Sequence, residues 1–256
     1  MMPGRLKRNI PNFFTLLNLL SGTIAVLMAV SDKMVAAALF VFLGIFFDFF
    51  DGFFARKLKV QGEFGKQLDS LADLVTSGLV PGIVMFQMLL YSTKQRWFME
   101  LSCETGNWQG YGETFYYYLP FAGLLIPLAA AWRLANFNID MRQTTRFIGL
   151  PTPAFSIFVL SLPLVARYSH SDLPVELVEN TYVLLGLTLA GCYLMNAELP
   201  LFSLKFKNYD WKGNEIKFIF LAAALVLLLA LQVVAIPLVI LMYILLSVLD
   251  NYLQKK

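Results

Sequence analysis

Residues 48–73 have the sequence DFFDGFFARKLKVQGEFGKQLDSLAD, which contains four aspartates and straddles the end of one apolar run, a turn rich in Lys and Gly, and the start of the next apolar run. Asp48 precedes Lys57 by nine residues, which is about 13 Å along a helix that rises 1.5 Å per residue. This distance places the Asp48 carboxylate well inside an apolar run. An ionisable side chain at such a depth in a membrane is costly, and it indicates a functional site.

The four aspartates are spaced so that each pair lies on one face of a helix. At about 100° per residue, an arc of about 140° on the first helix contains Asp48, Asp51, Gly52, Ala55 and Arg56. An arc of about 80° on the second helix contains Gly65, Asp69 and Asp73. An antiparallel hairpin that turns at 57–65 would bring the two acidic faces together, and the small residues on them would leave room for a ligand.

Four facing carboxylates repel one another unless cations neutralise them. Arg56 offsets about one charge, whereas two divalent cations would neutralise all four. Oxygen-only ligands favour Mg²⁺ or Mn²⁺, and a pair of such ions is suited to in-line displacement at phosphorus. The alternative is that the aspartates pair with bases at the membrane surface. The shared helix-face spacing of all four aspartates argues against that alternative.

The composition predicts a membrane protein. The chain has 256 residues, of which 58% are hydrophobic and 14% are charged, with a mean hydropathy of +0.66. A soluble domain has about a quarter charged residues. Eight apolar runs have about the length of a membrane span, at 11–30, 34–56, 66–92, 116–137, 152–168, 178–196, 215–232 and 234–253. We therefore predict an all-α, polytopic transmembrane helical bundle with about eight spans, the first of them retained rather than cleaved.

The distribution of Lys and Arg predicts the orientation of this bundle. With the N-terminus in the cytoplasm, 16 of the 20 basic residues lie on the cytoplasmic side. Only Lys33, Lys94, Arg96 and Arg167 lie on the other side. This is the positive-inside pattern, and an even number of spans also returns the C-terminus to the cytoplasm.

Other features of the sequence exclude some chemistry. Cys103 and Cys192 form no disulfide framework and no zinc spacing. His170 is the only histidine, which makes a histidine base or metal site improbable. Residues 197–214 mix aromatic and basic residues and are interpreted as a belt at the level of the lipid headgroups.

The acidic hairpin resembles the signature of the CDP-alcohol phosphotransferases. All eight fixed positions of that signature are present, as Asp48-x2-Asp51-Gly52-x2-Ala55-Arg56-x8-Gly65-x3-Asp69-x3-Asp73. Further stretches are similar to the family's first-helix motif and to its phosphatidylserine synthase branch, at 9–15, 68–73, 133–138 and 149–154. After the last aspartate, Leu74-Val75-Thr76-Ser77-Gly78 departs from the pattern typical of the serine branch.

The resemblance implies a role for each of these residues. Asp48, Asp51 and Asp69 would ligate two divalent cations, and Asp73 would line the same metal site and act as the general base. The cytidine diphosphate would contact Asn12, Thr15, Gly52, Ala55, Arg56 and Gly65. An alternative for Asn12 is a helix N-cap, and an alternative for Thr15 is a back-bonded hydroxyl. For a carboxylate-bearing acceptor we expect Arg133 with Asn136, or else Arg142 or Arg146.

The resemblance implies a single integral membrane domain over 1–256, with a catalytic hairpin at 44–78 and additional spans over 178–256. The expected reaction is transfer of a phosphatidyl group from CDP-diacylglycerol to L-serine at the cytoplasmic side of the inner membrane. A homodimer is implied, and no nucleic-acid partner is expected. The alternatives are a different acceptor alcohol, a membrane prenyltransferase or a transporter with a cation site. The single acidic hairpin, which is not repeated in the second half, argues against the last two.

Overall fold

A computed structural model of the chain describes residues 3–93, 118–140, 147–202 and 214–254. Ten α-helices follow one another in these ranges: α1 (Pro3–Val30), α2 (Met34–Lys57), α3 (Glu63–Asp73), α4 (Val80–Ser92), α5 (Leu125–Ile139), α6 (Thr152–Tyr168), α7 (Asp172–Glu179), α8 (Thr181–Asn196), α9 (Glu215–Leu231) and α10 (Ala235–Gln254). A π-helical segment, Leu74–Leu79, joins α3 to α4. Two-residue strands, β1 (Phe147–Ile148) and β2 (Pro200–Leu201), pair antiparallel.

The prediction of an all-helical membrane bundle is confirmed. Five helices in the described residues are long and apolar enough to cross a membrane, at Asn9–Val30, Met34–Lys57, Glu63–Ser92, Leu119–Ile139 and Glu215–Tyr252. The pair α7 and α8, bent by 70°, makes a sixth if it is one span, and α6 is a shorter apolar helix. Within the described residues, each of the eight predicted apolar runs falls mainly on helix. The number of membrane crossings, eight, and the side of the membrane on which the two termini lie stay predictions.

The last apolar stretch is a helical hairpin. Gln232 has a φ of 48°, in the left-handed region, and separates α9 from α10. The rings of Phe220 and Tyr243 are 5.8 Å apart. A straight helix would separate residues 23 positions apart by about 35 Å. The two helices therefore run side by side in opposite directions.

Small side chains let α1 and α2 pack closely along their length. Ala25 and Ala29 on α1 and Ala37 and Ala38 on α2 are all buried. The chain reverses between these helices at residues 31–33, where Asp32 adopts a left-handed conformation with a φ of 59°. This reversal sets the far ends of α1 and α2 beside each other, and those ends carry the polar residues of the site.

The helix formed by α3, the π-helical segment and α4 lies in the middle of the bundle. Its second half is buried on nearly all sides, with Val80, Val84, Met85 and Leu89 fully inaccessible. Five glycines keep neighbouring helices close to it, namely Gly22, Gly44, Gly78, Gly82 and Gly123. For example, a Cβ added to Gly82 would lie 2.6 Å from Pro127 Cδ of α5. This close packing fixes the position of Asp73, the last residue of α3.

Candidate functional site

The acidic residues of α2 and α3 meet at the end of the α2–α3 hairpin. The turn begins with Lys59, whose φ of 53° allows its amide to donate to Arg56 O and the amide of Val60 to donate to Ala55 O. This pair of hydrogen bonds is the Schellman arrangement that ends a helix sharply. The turn reverses the chain, so that α3 packs against α1 and its acidic face lies toward the acidic face of α2.

Three of the four carboxylates converge. Asp48, Asp51 and Asp69 each offer one oxygen, and these oxygens lie within 4.8 Å of one another. Asp51 is buried, and Asp48 and Asp69 are partly buried. In the part of the chain that the structure describes, this is the one such group of three or more His, Cys, Asp or Glu side chains.

The converging carboxylates fit a divalent metal. Like charges so close together repel one another, and burial weakens the screening by water. Asp69 Oδ1 is buried and has no hydrogen-bond partner in the described residues. Carboxylate oxygens without nitrogen or sulfur ligands suit Mg²⁺ or Mn²⁺. The three side chains therefore have the donor type for such an ion and lie close enough together to hold one.

Asp73 lies beside this group but is held separately. Its Oδ1 accepts a hydrogen bond of 3.1 Å from Nδ2 of Asn18 on α1. Asn18 was not among the residues predicted from the sequence. A signal for it was present, because an Asn inside an apolar helix, three residues after Thr15, lies on the same helical face as Thr15.

Thr15 contacts the acidic group directly. Its hydroxyl donates to Asp51 Oδ2 across 2.6 Å and also lies 3.2 Å from Pro11 O. The alternative considered for Thr15, a hydroxyl bonded back to its own helix, therefore occurs alongside the hydrogen bond to Asp51. The N-cap alternative for Asn12 is wrong, because α1 begins at Pro3 and Asn12 lies in its interior.

A pocket of about 420 Å³ opens beside the acidic group. It is lined by Pro11, Asn12, Thr15, Asp51, Gly52, Ala55, Val60, Gln61, Gly62, Glu63, Gly65, Lys66 and Asp69. Five of the six residues predicted to contact the cytidine diphosphate are in this lining. The sixth, Arg56, is not part of the lining, and its side chain is exposed. The guanidinium lies beside Gly52, since a Cβ added to Gly52 would be 3.3 Å from Arg56 Nη1.

The residues predicted for the acceptor lie in a different pocket. Arg133 and Asn136 line an opening of about 410 Å³ that shares no lining residue with the first pocket. Nη1 of the buried Arg133 donates to Ile148 O at 3.2 Å and to Met195 O at 3.0 Å. Arg133 therefore joins α5 to the chain before α6 and to the end of α8. Arg142, Arg146 and most of the 197–214 segment lie outside the described residues.

A second polar group missed by the sequence analysis ties α3 to α5. Asn138 Nδ2 donates to Ser70 Oγ at 2.8 Å, and Ser70 Oγ donates to Lys66 O at 3.2 Å. Lys66 Nζ in turn donates to the backbone carbonyl of Asn138. Ser70 follows Asp69, so these bonds hold the acidic face of α3 at a fixed distance from α5.

The family model for CDP-alcohol phosphatidyltransferases matches residues 8–195. This stretch includes the whole acidic hairpin and most of the residues that line the two pockets. The chain belongs to the CDP-alcohol phosphatidyltransferase family. The family membership predicted from the signature is thereby confirmed. The match ends inside α8, so the hairpin of α9 and α10 lies beyond it.

Relatives within this family carry names that refer to serine. CDP-diacylglycerol–serine O-phosphatidyltransferase of Bacillus subtilis (strain 168) is 34% identical over 148 residues, which cover 56% of this chain and 69% of that protein. The protein of the same name from Helicobacter pylori (strain 26695) is 26% identical over 205 residues, which cover 78% of this chain and 74% of that protein. Archaetidylserine synthase of Methanothermobacter thermautotrophicus is 28% identical over 164 residues, covering 63% and 60%. The chain is thus an integral membrane enzyme of a phosphotransferase family.

Proposed function

We propose that the chain transfers a phosphatidyl group from CDP-diacylglycerol to the hydroxyl of L-serine, giving phosphatidylserine and CMP. The observation that carries this proposal is the convergence of Asp48, Asp51 and Asp69 at a pocket lined by the family signature. The serine acceptor is supported by the names of the relatives. The archaeal relative is an archaetidylserine synthase, and its name also refers to a serine headgroup.

The pocket suits the nucleotide part of the donor. Gly52, Ala55 and Gly65 present little side-chain bulk toward it, which leaves the backbone accessible to a flat base and a ribose. Asn12 lies opposite Gly65: a Cβ added to Gly65 would be 3.4 Å from Asn12 Oδ1. Arg56 supplies a cation at the same rim for the diphosphate. The acyl chains would then extend into the surrounding lipid.

We assign two divalent cations, Mg²⁺ or Mn²⁺, to Asp48, Asp51, Asp69 and Asp73. When bound, such ions neutralise the diphosphate and polarise its oxygens for displacement. Thr15 orients Asp51 by its hydrogen bond, and Asn18 orients Asp73 in the same way. The protein's own contribution is therefore to hold the carboxylates in place before the donor arrives.

Asp73 is the group we assign as general base. It accepts the proton of the serine hydroxyl, and the serine oxygen forms a bond to the phosphorus that carries diacylglycerol. The bond from that phosphorus to the bridging oxygen breaks, and CMP leaves with the electron pair. No covalent intermediate with the enzyme is needed, because a single in-line displacement balances atoms and charge.

Recognition of the acceptor remains assigned to Arg133 and Asn136, as predicted from the sequence. Nη1 of Arg133 donates to two backbone carbonyls. We therefore assign the contact with the acceptor carboxylate to the other guanidinium nitrogens, Nη2 and Nε, in this pocket. Because this pocket is separate from the first, the proposal requires the acceptor to bridge them or α5 to shift. A different acceptor alcohol is the competing function.

We further propose that the hairpin faces the cytoplasm and that the enzyme acts as a homodimer in the inner membrane. The orientation is supported by the bases at the hairpin end, which include Arg56, Lys57, Lys59 and Lys66, against Lys33 and Arg167 at the other end. The homodimer and the single domain over 1–256 rest on the resemblance alone.

The proposal is tested with purified protein in lipid nanodiscs that contain CDP-diacylglycerol. L-serine, glycerol 3-phosphate, inositol and ethanolamine are offered separately, each with Mn²⁺ or Mg²⁺, and CMP and the lipid product are measured. We expect phosphatidylserine with serine and loss of turnover with a chelator. A lipid product with another acceptor and none with serine would contradict the proposed acceptor.

The role of the acidic group is tested with a matched pair of variants. Asp69→Asn should abolish turnover and the rise in thermal stability that Mn²⁺ with the donor produces. Asp172→Asn is the control, because Asp172 is exposed in the first turn of α7, at the opposite end of the bundle. Equal Mn²⁺ stabilisation of both variants would contradict a metal site at the hairpin.

A further inference from the structure

The side chain of Asn18 is enclosed by α1, α2 and the helix that carries Asp73. Asn18 is 0% exposed, and its Nδ2 donates to Asp73 Oδ1 across 3.1 Å. We infer that Asn18 is a positioning residue that fixes one oxygen of Asp73 so that the other faces the acceptor hydroxyl. This inference rests on the proposed function, in which Asp73 takes the proton.

Two close contacts hold Asn18 in this place, and a third holds Thr76, its hydrogen-bond partner. Thr76, in the π-helical segment that directly follows Asp73, donates its hydroxyl to Asn18 O at 3.2 Å. A Cβ added to Gly44 of α2 would lie 2.9 Å from Asn18 Oδ1 and 2.7 Å from Thr76 Cγ2. Gly22 is also opposite Thr76, with its added Cβ 3.0 Å from Thr76 Cα. The three helices therefore touch at Asn18 with no spare volume.

The π-helical segment supports a functional role for this contact. A π-turn inserts one extra residue into a helix, and such turns are frequent at functional sites. Here it starts at Leu74, one residue after Asp73, and its Thr76, Ser77 and Gly78 are buried. The hydrogen bond from Thr76 to α1 anchors this irregular turn, so that the end of α3 and the Asp73 carboxylate keep one orientation.

The unsatisfied oxygen of Asn18 is a cost in stability that accompanies the hydrogen bond to Asp73. Asn18 Oδ1 is buried and has no hydrogen-bond partner among the described residues. Leaving a buried polar atom unpaired destabilises the folded state, and leucine has the same number of side-chain heavy atoms without that cost. A residue that costs stability and touches the proposed base is typical of a functional position.

Asparagine is also the right chemical type for the position. Its amide donates a hydrogen bond without adding a charge to the acidic group, whereas an Asp there would add a fifth carboxylate. A Lys or Arg would offer a counter-charge that competes with metal cations for the same carboxylates. The neutral donor orients Asp73 and leaves its charge available.

The test compares Asn18→Leu and Asn18→Asp with the wild-type enzyme, in steady-state kinetics and in thermal unfolding. Both variants keep the side-chain size and lose the donor. Thr23→Val is the control, because Thr23 lies on the exposed face of α1 and donates only to Leu19 O of its own helix. Each Asn18 variant is also combined with Asp73→Asn to form a double-mutant cycle.

We expect kcat to fall about tenfold to hundredfold in Asn18→Leu, a part of the usual contribution of a general base. The KM for CDP-diacylglycerol should stay within about twofold. The Tm should change little, because loss of the unpaired Asn18 oxygen offsets loss of the donor to Asp73 Oδ1. In the Asp73→Asn background the Asn18 substitutions should have no further effect on kcat.

Several results would overturn the inference. They are a kcat of Asn18→Leu within about twofold of wild type, a parallel loss of Tm and kcat, or a full additive loss in the Asp73→Asn background. If Asn18→Leu does not fold, Asn18→Ala, which removes the donor without adding a charge, decides by the same criteria. Failure of the proposed function looks different, since the wild-type enzyme would then release no CMP with serine.

Discussion

Replacement of Thr15 by valine tests how α1 supports the acidic group. Thr15 is 2% exposed and donates to Asp51 Oδ2 across 2.6 Å. Valine is β-branched and has nearly the same shape, so the packing of α1 on α2 is kept and the hydroxyl is lost. The resemblance assigned Thr15 to the nucleotide, whereas this hydrogen bond assigns it to a carboxylate that would bind metal.

The size of the effect follows from this contact. A hydrogen bond to a charged group contributes about 1.5–3 kcal/mol, and loss of a bond that orients a metal ligand typically weakens metal affinity about 10–100-fold. A factor of 10–100 is about 1.4–2.7 kcal/mol, so the two ranges agree. We therefore expect the Mn²⁺ concentration for half-maximal activity to rise about 10–100-fold in Thr15→Val.

The assay titrates Mn²⁺ into metal-free enzyme and records CMP release and thermal unfolding at each concentration. Thr15→Ser keeps the hydroxyl and should stay close to wild type, and Thr23→Val serves as the control without a site contact. A Mn²⁺ midpoint within about twofold of wild type in Thr15→Val would refute the reasoning. A raised KM for CDP-diacylglycerol at saturating Mn²⁺ would instead favour direct contact with the nucleotide.

Three further predictions concern packing and orientation. Gly44→Ala should lower the free energy of unfolding by about 1–3 kcal/mol, because its Cβ would meet Thr76 Cγ2 at 2.7 Å; Gly186→Ala, where the added Cβ meets nothing within 4 Å, should be neutral in thermal unfolding. Arg133→Met should lower the Tm because it removes the donor to the carbonyls of Ile148 and Met195. It should also raise the KM for serine if Arg133 contacts the acceptor as proposed, and an unchanged Tm would contradict the structural role. In a background without the native cysteines, Lys59→Cys should react with a membrane-impermeant maleimide only in inside-out vesicles, and Lys33→Cys should react only in intact cells. The reverse pattern of labelling would contradict the proposed orientation.

The positions of the helices and of the acidic hairpin could be predicted from the sequence. Apolar runs of membrane-spanning length are a local property, and the predicted runs at 34–56 and 152–168 agree with α2 and α6 within one residue. The spacing of Asp48 and Asp51 on one helix and of Asp69 on the next is also local, because the helical repeat determines which residues share a face. A short turn then requires the two faces to meet.

The contacts of α1 with this hairpin were decided only by the tertiary structure. Periodicity places Thr15 and Asn18 on one face of α1, but it does not say which neighbour that face contacts. That contact depends on glycines and alanines on three helices, which determine how closely the helices approach. The same is true of Arg133, which the sequence assigned to an acceptor and which the fold places against two backbone carbonyls from distant parts of the chain. Helical periodicity is set by local backbone geometry, whereas partners across a bundle are set by how whole surfaces pack.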